Sequence, residues 1–214
     1  MTAVRSAELD ASGSGPASPP DIGPGLRAEL LDLARVALQV AVGGSEPALL
    51  DRAYAAVAGA DEPAAVFVTL RRGAALRGCI GTIEPVWPLR AAIVTATIDA
   101  ALRDPRFRPV RAGELVALHL DASVLGMPAR LVDLAGFEPG VDGVVVERDG
   151  RRALLLPEVA TELGWGATGM LDAVCEKAGL PARAWRDERT SLSVFRTTRF
   201  GGPVVPAVPV VGSR

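Results

Sequence analysis

The amino-acid sequence predicts an α+β protein, mainly antiparallel sheet with helices packed in layers. Three observations carry that expectation. Two β-prone stretches, 64–70 and 75–81, flank the short turn Arg71-Arg72-Gly73-Ala74, and a second pair flanks Asp149-Gly150. Strands joined this closely run antiparallel. Helical-period stretches at 26–42 and 89–102 stand apart from those hairpins, without the regular β-α-β alternation of a parallel sheet. With 214 residues, nearly half of them apolar, the chain is long enough for a real core in one domain or two small ones.

Residues 1–25 are rich in Ala, Ser, Gly and Pro and read as a disordered tail. In the first helix Leu26, Leu30, Leu33, Ala34, Ala37 and Ala41 share one face, and Gly43-Gly44 stops it. Residues 47–57 read as a short helix or an irregular link. The hairpin 64–81 follows, with Pro85 and Pro88 ending it. Pro88 suits the first turn of the helix 89–102. Asp104-Pro105-Arg106-Phe107 closes that helix, because the residue before proline disfavours helical geometry.

A strand at 116–124 alternates Leu118, Leu120, Ala122 and Val124 with His119, Asp121 and Ser123. Residues 126–140 read as a connector. Asp149-Gly150 signals a type I′ turn between strands 144–147 and 152–156. Helices at 157–163 and 170–178 come next, the second ended by Gly179 and Pro181, and then a late strand at 191–196. Residues 201–214 read as a flexible tail, leaving 26–200 as the folded part.

Composition excludes several classes. A net charge of −2 gives no global pull toward nucleic acid or anionic membrane. Two cysteines, Cys79 and Cys175, and one histidine, His119, make neither a disulfide framework nor a clustered metal site, so no metal or cofactor is expected. No apolar run reaches the length of a membrane span, and the N-terminus lacks a secretory pattern, so a cytoplasmic protein with reduced thiols is expected. Phosphate-loop, nucleophile-elbow and dinucleotide fingerprints are missing.

The stretch with most chemical content is Leu76-Arg77-Gly78-Cys79-Ile80-Gly81. Cysteine is a strong nucleophile, and a nearby cation favours its thiolate. On a regular strand Arg77 and Cys79 share a face. Glycines inside a strand mark a bulge or a close approach to the backbone. The same residues also suit a packed strand with a small buried thiol, and residue chemistry leaves both readings open. A Cys-His arrangement requires His119, which sits at a polar alternation position and reads as solvent-exposed. Cys175 lies on an amphipathic helix and reads as core. Arg103, Arg106, Arg108 and Arg111 form a basic run around Phe107, suited to an anion or to a solvated loop paired with Asp104. Glu84, Asp99, Asp104, Asp121 and Glu158 are candidate acids and bases that spacing alone does not bring together.

Taken in order, Phe67-Val68-Thr69-Leu70, Leu76-Arg77-Gly78-Cys79-Ile80-Gly81 and Asp104-Pro105-Arg106-Phe107 resemble the AMMECR domain, also known as protein A of the AmmeMemoRadiSam system. Later blocks agree, among them Gly140-Val141-Asp142-Gly143-Val144 and Cys175-Glu176-Lys177-Ala178-Gly179-Leu180-Pro181. The likeness covers about residues 26–198. It implies two unequal subdomains with a cleft between them, and a signature site at Cys79 with Arg77, Gly78 and Gly81. It also implies a Memo-type partner, related to extradiol dioxygenases, and a radical-SAM protein. Where many members carry histidine in the string G-V-H-G, this chain has Asp142.

On this resemblance Cys79 and Arg77 are the candidate catalytic pair, and Gly78, Gly81, Asp104 and Arg106 the candidate ligand-binding residues. In that reading the protein carries thiol chemistry or accepts a modification at Cys79. Its alternatives are a non-catalytic module docking a Memo-type partner and, more weakly supported, nucleic-acid binding through the arginine run.

Overall fold

The computed structural model describes residues 18, 19 and 21–205; the parts of both expected tails at 1–17, 20 and 206–214 lie outside them. The described residues divide into two compact units, one built on 21–125 with 198–205, the other on Gly126–Thr197.

In the first unit, helix α1 (Pro24–Ala41) begins on Pro24 and buries Leu30, Leu33, Ala34, Ala37 and Leu38. The start falls two residues before the expected one, because proline is preorganised for the first helical turn. Residues 47–57, read as helix or link, form helix α2 (Pro47–Ala56). Strand β1 (Pro63–Arg72) pairs antiparallel with β2 (Ala75–Gly81), and the two-residue strand β3 (Trp87–Pro88) pairs with the start of β1. The hairpin turn is Gly73-Ala74, with Gly73 at φ +59°. Helix α3 (Leu89–Leu102) lies across β1 and β2.

Residues 112–117 form a 3-10 helix in which Val116 is exposed; the strand expected from 116 starts at Leu118 and is β4 (Leu118–Leu125). Apolar alternation holds only from Leu118 onward, where each even residue is buried. The sheet order is β2-β1-β4-β9, where β9 is Thr197–Pro203. The stretch read as a tail from 201 therefore starts inside the sheet, and Val204 is buried with its N–H on the Leu118 carbonyl at 2.9 Å. Val66, Val68, Leu70, Leu118, Leu120, Ala122 and Val124 form the face that packs with α1 and α3 in one core.

In the second unit the expected connector contains the short strand β5 (Ala129–Arg130). Strands β6 (Gly143–Arg148) and β7 (Arg151–Leu155) form the type I′ hairpin, with Asp149 and Gly150 both at positive φ. With β8 (Ser191–Phe195) the order is β5-β8-β6-β7, packed against helices α4 (Pro157–Leu163) and α5 (Ala167–Lys177). Val144, Val146, Met170, Leu171, Val174 and Val194 centre a separate core. The architecture is α+β with antiparallel sheets. Among the described residues no helix is long and apolar enough to cross a membrane.

Candidate functional site

The orientation of Cys79 is decided by a bulge in the first hairpin. Next to the turn, Arg72 pairs with Ala75 and Arg71 with Leu76. Continued without interruption, that register sets Cys79 opposite Val68, a fully buried core residue. Arg77 has no partner on β1, so beyond it the pairing slips by one: Leu70 faces Gly78 and Thr69 faces Cys79. Side chains alternate along a strand, so a one-residue slip exchanges the two faces. Gly78 turns toward α3, and Cys79 turns away from the core, half-buried beside Thr69. The Thr69 hydroxyl donates to Cys79 Sγ at 3.3 Å.

The extra residue is itself anchored. Arg77 Nε and Nη2 donate to the two carboxylate oxygens of Glu114 at 2.9 and 3.0 Å, and Glu114 also accepts the Arg111 N–H at 2.9 Å. The Arg77 guanidinium holds the Glu114 carboxyl below its usual range. The regular strand that was expected to set Arg77 and Cys79 on one face is thus replaced by a bulge, with the guanidinium committed to Glu114.

A second contact holds Cys79 by its backbone. Strand β2 is a sheet edge, and Cys79 points its amide and carbonyl outward from it. Its N–H donates to Asp104 Oδ2 at 2.8 Å and its carbonyl accepts from Arg106 Nη2 at 3.2 Å. Arg106 also donates to Asp104 from Nε at 2.9 Å, from Nη2 at 2.6 Å and from its backbone N–H at 3.1 Å. The loop after α3 thereby completes both backbone groups that an edge strand leaves open. Asp104 is buried, yet the Arg106 hydrogen bonds and the Cys79 amide pull its carboxyl down from 3.8 to about 2. Asp104 in turn raises the Arg106 guanidinium above its usual value.

Both signature glycines are filled by the chain itself. A Cβ on Gly78 would collide with the Ala100 carbonyl of α3, and one on Gly81 with the Val66 carbonyl and the Phe67 ring. The opening for a ligand that the glycines suggested is taken up by this packing. Phe67 pairs with Gly81 across the hairpin, and its ring lies against that glycine.

The same face continues across the sheet. Thr69 faces Asp121 and Phe67 faces Ser123 on β4, all three polar groups being buried. Asp121 pairs with Arg199 at 3.0 Å and lies 3.7 Å from His119 Nε2. His119 faces Arg71, so β1 stands between it and Cys79. Two strand spacings amount to about 10 Å, too far for a Cys-His pair. His119 is exposed, as its alternation position suggested. Thr69 was overlooked in the sequence; it shares the odd-numbered polar side of β1 with Arg71, but its partner depends on the bulge.

Elsewhere, Cys175 is fully buried and burial raises its thiol pKa. Asp142 is 1% exposed; it accepts the Glu138 N–H at 3.0 Å and pairs with Arg196 at 3.1 Å, organising the turn 138–142. In the basic run, Arg103 pairs with Asp99 at 2.6 Å and Arg106 with Asp104, while Arg108 and Arg111 are exposed. A groove of about 600 Å³ opens in the second unit, lined by Arg130, Val132, Leu134, Trp185, Arg186 and Leu192 among others; it contains neither a thiol nor the histidine. Among the described residues, no group of three His, Cys, Asp or Glu side chains is placed to hold a metal ion.

The AMMECR1 family profile matches residues 31–200. A protein of Methanothermobacter thermautotrophicus is 47% identical over 141 residues, 63% of this chain and 73% of that one. A protein of Aeropyrum pernix is 42% identical over 157 residues, 67% of this chain and 68% of its own. The crystal structure of uncharacterized protein PH0010 from Pyrococcus horikoshii superposes with a TM-score of 0.78 at 34% identity, covering 86% of this chain and 96% of that one.

Proposed function

The chain belongs to the AMMECR1 family, and we propose that this member is the cysteine-centred component of a system shared with a Memo-type protein and a radical-SAM protein. The reading is carried by the Arg77 bulge, which turns Cys79 out of the core onto the Thr69 face while Asp104 and Arg106 hold its backbone. A thiol used only for packing needs neither device. With His119 two strands away, the described residues place no imidazole beside the thiol, which favours a group-accepting role over a self-sufficient catalyst. In that step the Cys79 sulfur attacks an electrophilic carbon brought by the partner. An S–C bond forms, the thiol proton passes to solvent, and the leaving group departs with the electrons of the broken bond. Thr69 directs its hydroxyl at the sulfur.

The test is the intact mass of the protein isolated from cells that also produce the two partners. The expected result is a mass increment located on the Cys79 peptide and lost in Cys79→Ser. An unmodified Cys79 under those conditions would count against the reading.

A docking role without chemistry has its own supporting observation. Val86 and Trp87, which follow the Cys79 strand, are 58% and 54% exposed. Partner capture that survives Cys79→Ser but is lost in Trp87→Ala, with no mass increment, would favour docking.

A further inference from the structure

We infer that the sheet edge beside Cys79 is a docking surface for an acidic protein segment. The whole chain carries a net charge of −2, yet this edge is positive. Arg72, Arg77, Arg103, Arg106, Arg108 and Arg111 bring six positive charges against the three negative charges of Asp99, Asp104 and Glu114, a local excess of three.

Contacts tie Arg72, Arg77, Arg106, Arg111, Asp104 and Glu114 together, and Asp99, Arg103 and Arg108 flank them along the chain. Arg106 binds Asp104 and the Cys79 carbonyl, Glu114 joins Arg77 to the Arg111 backbone, and Arg72 acts electrostatically on Glu114. Arg108 and Arg111 are exposed, and their guanidiniums take part in none of these pairs. Complementary charge of this kind steers a partner and fixes its orientation.

The surface suits carboxylates better than a nucleic-acid backbone. It already holds two carboxylates by paired guanidinium hydrogen bonds, Glu114 on Arg77 and Asp104 on Arg106. The same carboxylates interrupt the positive track that a continuous phosphate chain follows. Phe107, the aromatic residue within the run, has the Arg106 guanidinium over one face of its ring at 5.4 Å, a face then taken from a stacking base. A bound acidic segment would place its neighbouring groups beside the Cys79 thiol. That last point rests on the thiol reading above, whereas the docking itself does not.

The experiment uses the full chain and a fluorescein-labelled poly-L-glutamate peptide, followed by anisotropy across a salt series, with an oligothymidylate of equal length in parallel. Polyglutamate should bind, weaken as salt rises, and lose about tenfold or more in affinity to R108E/R111E. R183E, an exposed arginine of the other unit, should bind like the parent. Bound peptide should also slow alkylation of Cys79. No binding, equal binding by R108E/R111E, equal loss in R183E, or tighter binding of the oligothymidylate would each overturn the proposal. Salt-dependent binding that leaves Cys79 alkylation unchanged would keep the docking surface but separate it from the thiol.

Discussion

At the scale of single residues, one unpaired position decides whether Cys79 is core or surface. The sequence string around Cys79 was legible as a unit, because a thiol between two glycines beside an arginine is unusual in a strand. The bulge was not legible. Both registers satisfy the turn and the alternation, and contacts from distant residues mark the slipped one, among them Arg77 on Glu114, 37 positions away, and Asp104 on the Cys79 amide. The glycines were legible as close approaches, but not what approaches them. At Gly78 it is the Ala100 carbonyl, which belongs to a helix backbone and cannot swing aside. Gly78→Ala should therefore destabilise the protein by about 2–3 kcal/mol. Thermal unfolding reads this directly, and an unchanged midpoint would show that α3 does not press on the strand.

At the scale of elements, the loop after α3 behaves as a substitute strand at the β2 edge. Its aspartate is legible in the sequence as a helix stop, a candidate ligand-binding residue and an arginine partner, but its second partner is the backbone of another element, which spacing does not show. The last strand was missed for a related reason. Gly201, Gly202 and Pro203 are poor strand formers, but β9 lies at the sheet edge, where glycine and proline are tolerated. There Gly201 comes close to the Leu120 carbonyl and the Asp121 backbone.

The Asp104 clamp also has a pH signature. Folding lowers the Asp104 carboxyl from 3.8 to about 2, so its ionised form is the one the native state favours. Its stabilisation, about 2 kcal/mol, is fully present above the unfolded value near 4 and disappears as pH falls through about 2. Denaturant unfolding at stepped pH should show that loss in the parent and a flatter curve in Asp104→Asn. Parallel curves would mean that the carboxylate is not held by Arg106.

At the scale of the whole molecule, family resemblance implies two unequal subdomains, where length and composition leave one domain or two small ones open. Hydrophobic periodicity marks each helix and strand but does not say which apolar faces share a core. Residues 197–203 leave the second unit to complete the sheet of the first, a long-range return that local patterns do not show. The two cysteines fall one in each unit and differ in kind. Cys79 is half-buried on a clamped edge strand, and Cys175 is sealed among Met170, Leu171 and Val174. That contrast makes one measurement decisive: iodoacetamide alkylation of the native chain at neutral pH, with both cysteine peptides followed by mass spectrometry over time. Cys79 should label steadily while Cys175 stays protected until the chain is unfolded. A Cys79 as protected as Cys175 would contradict that contrast.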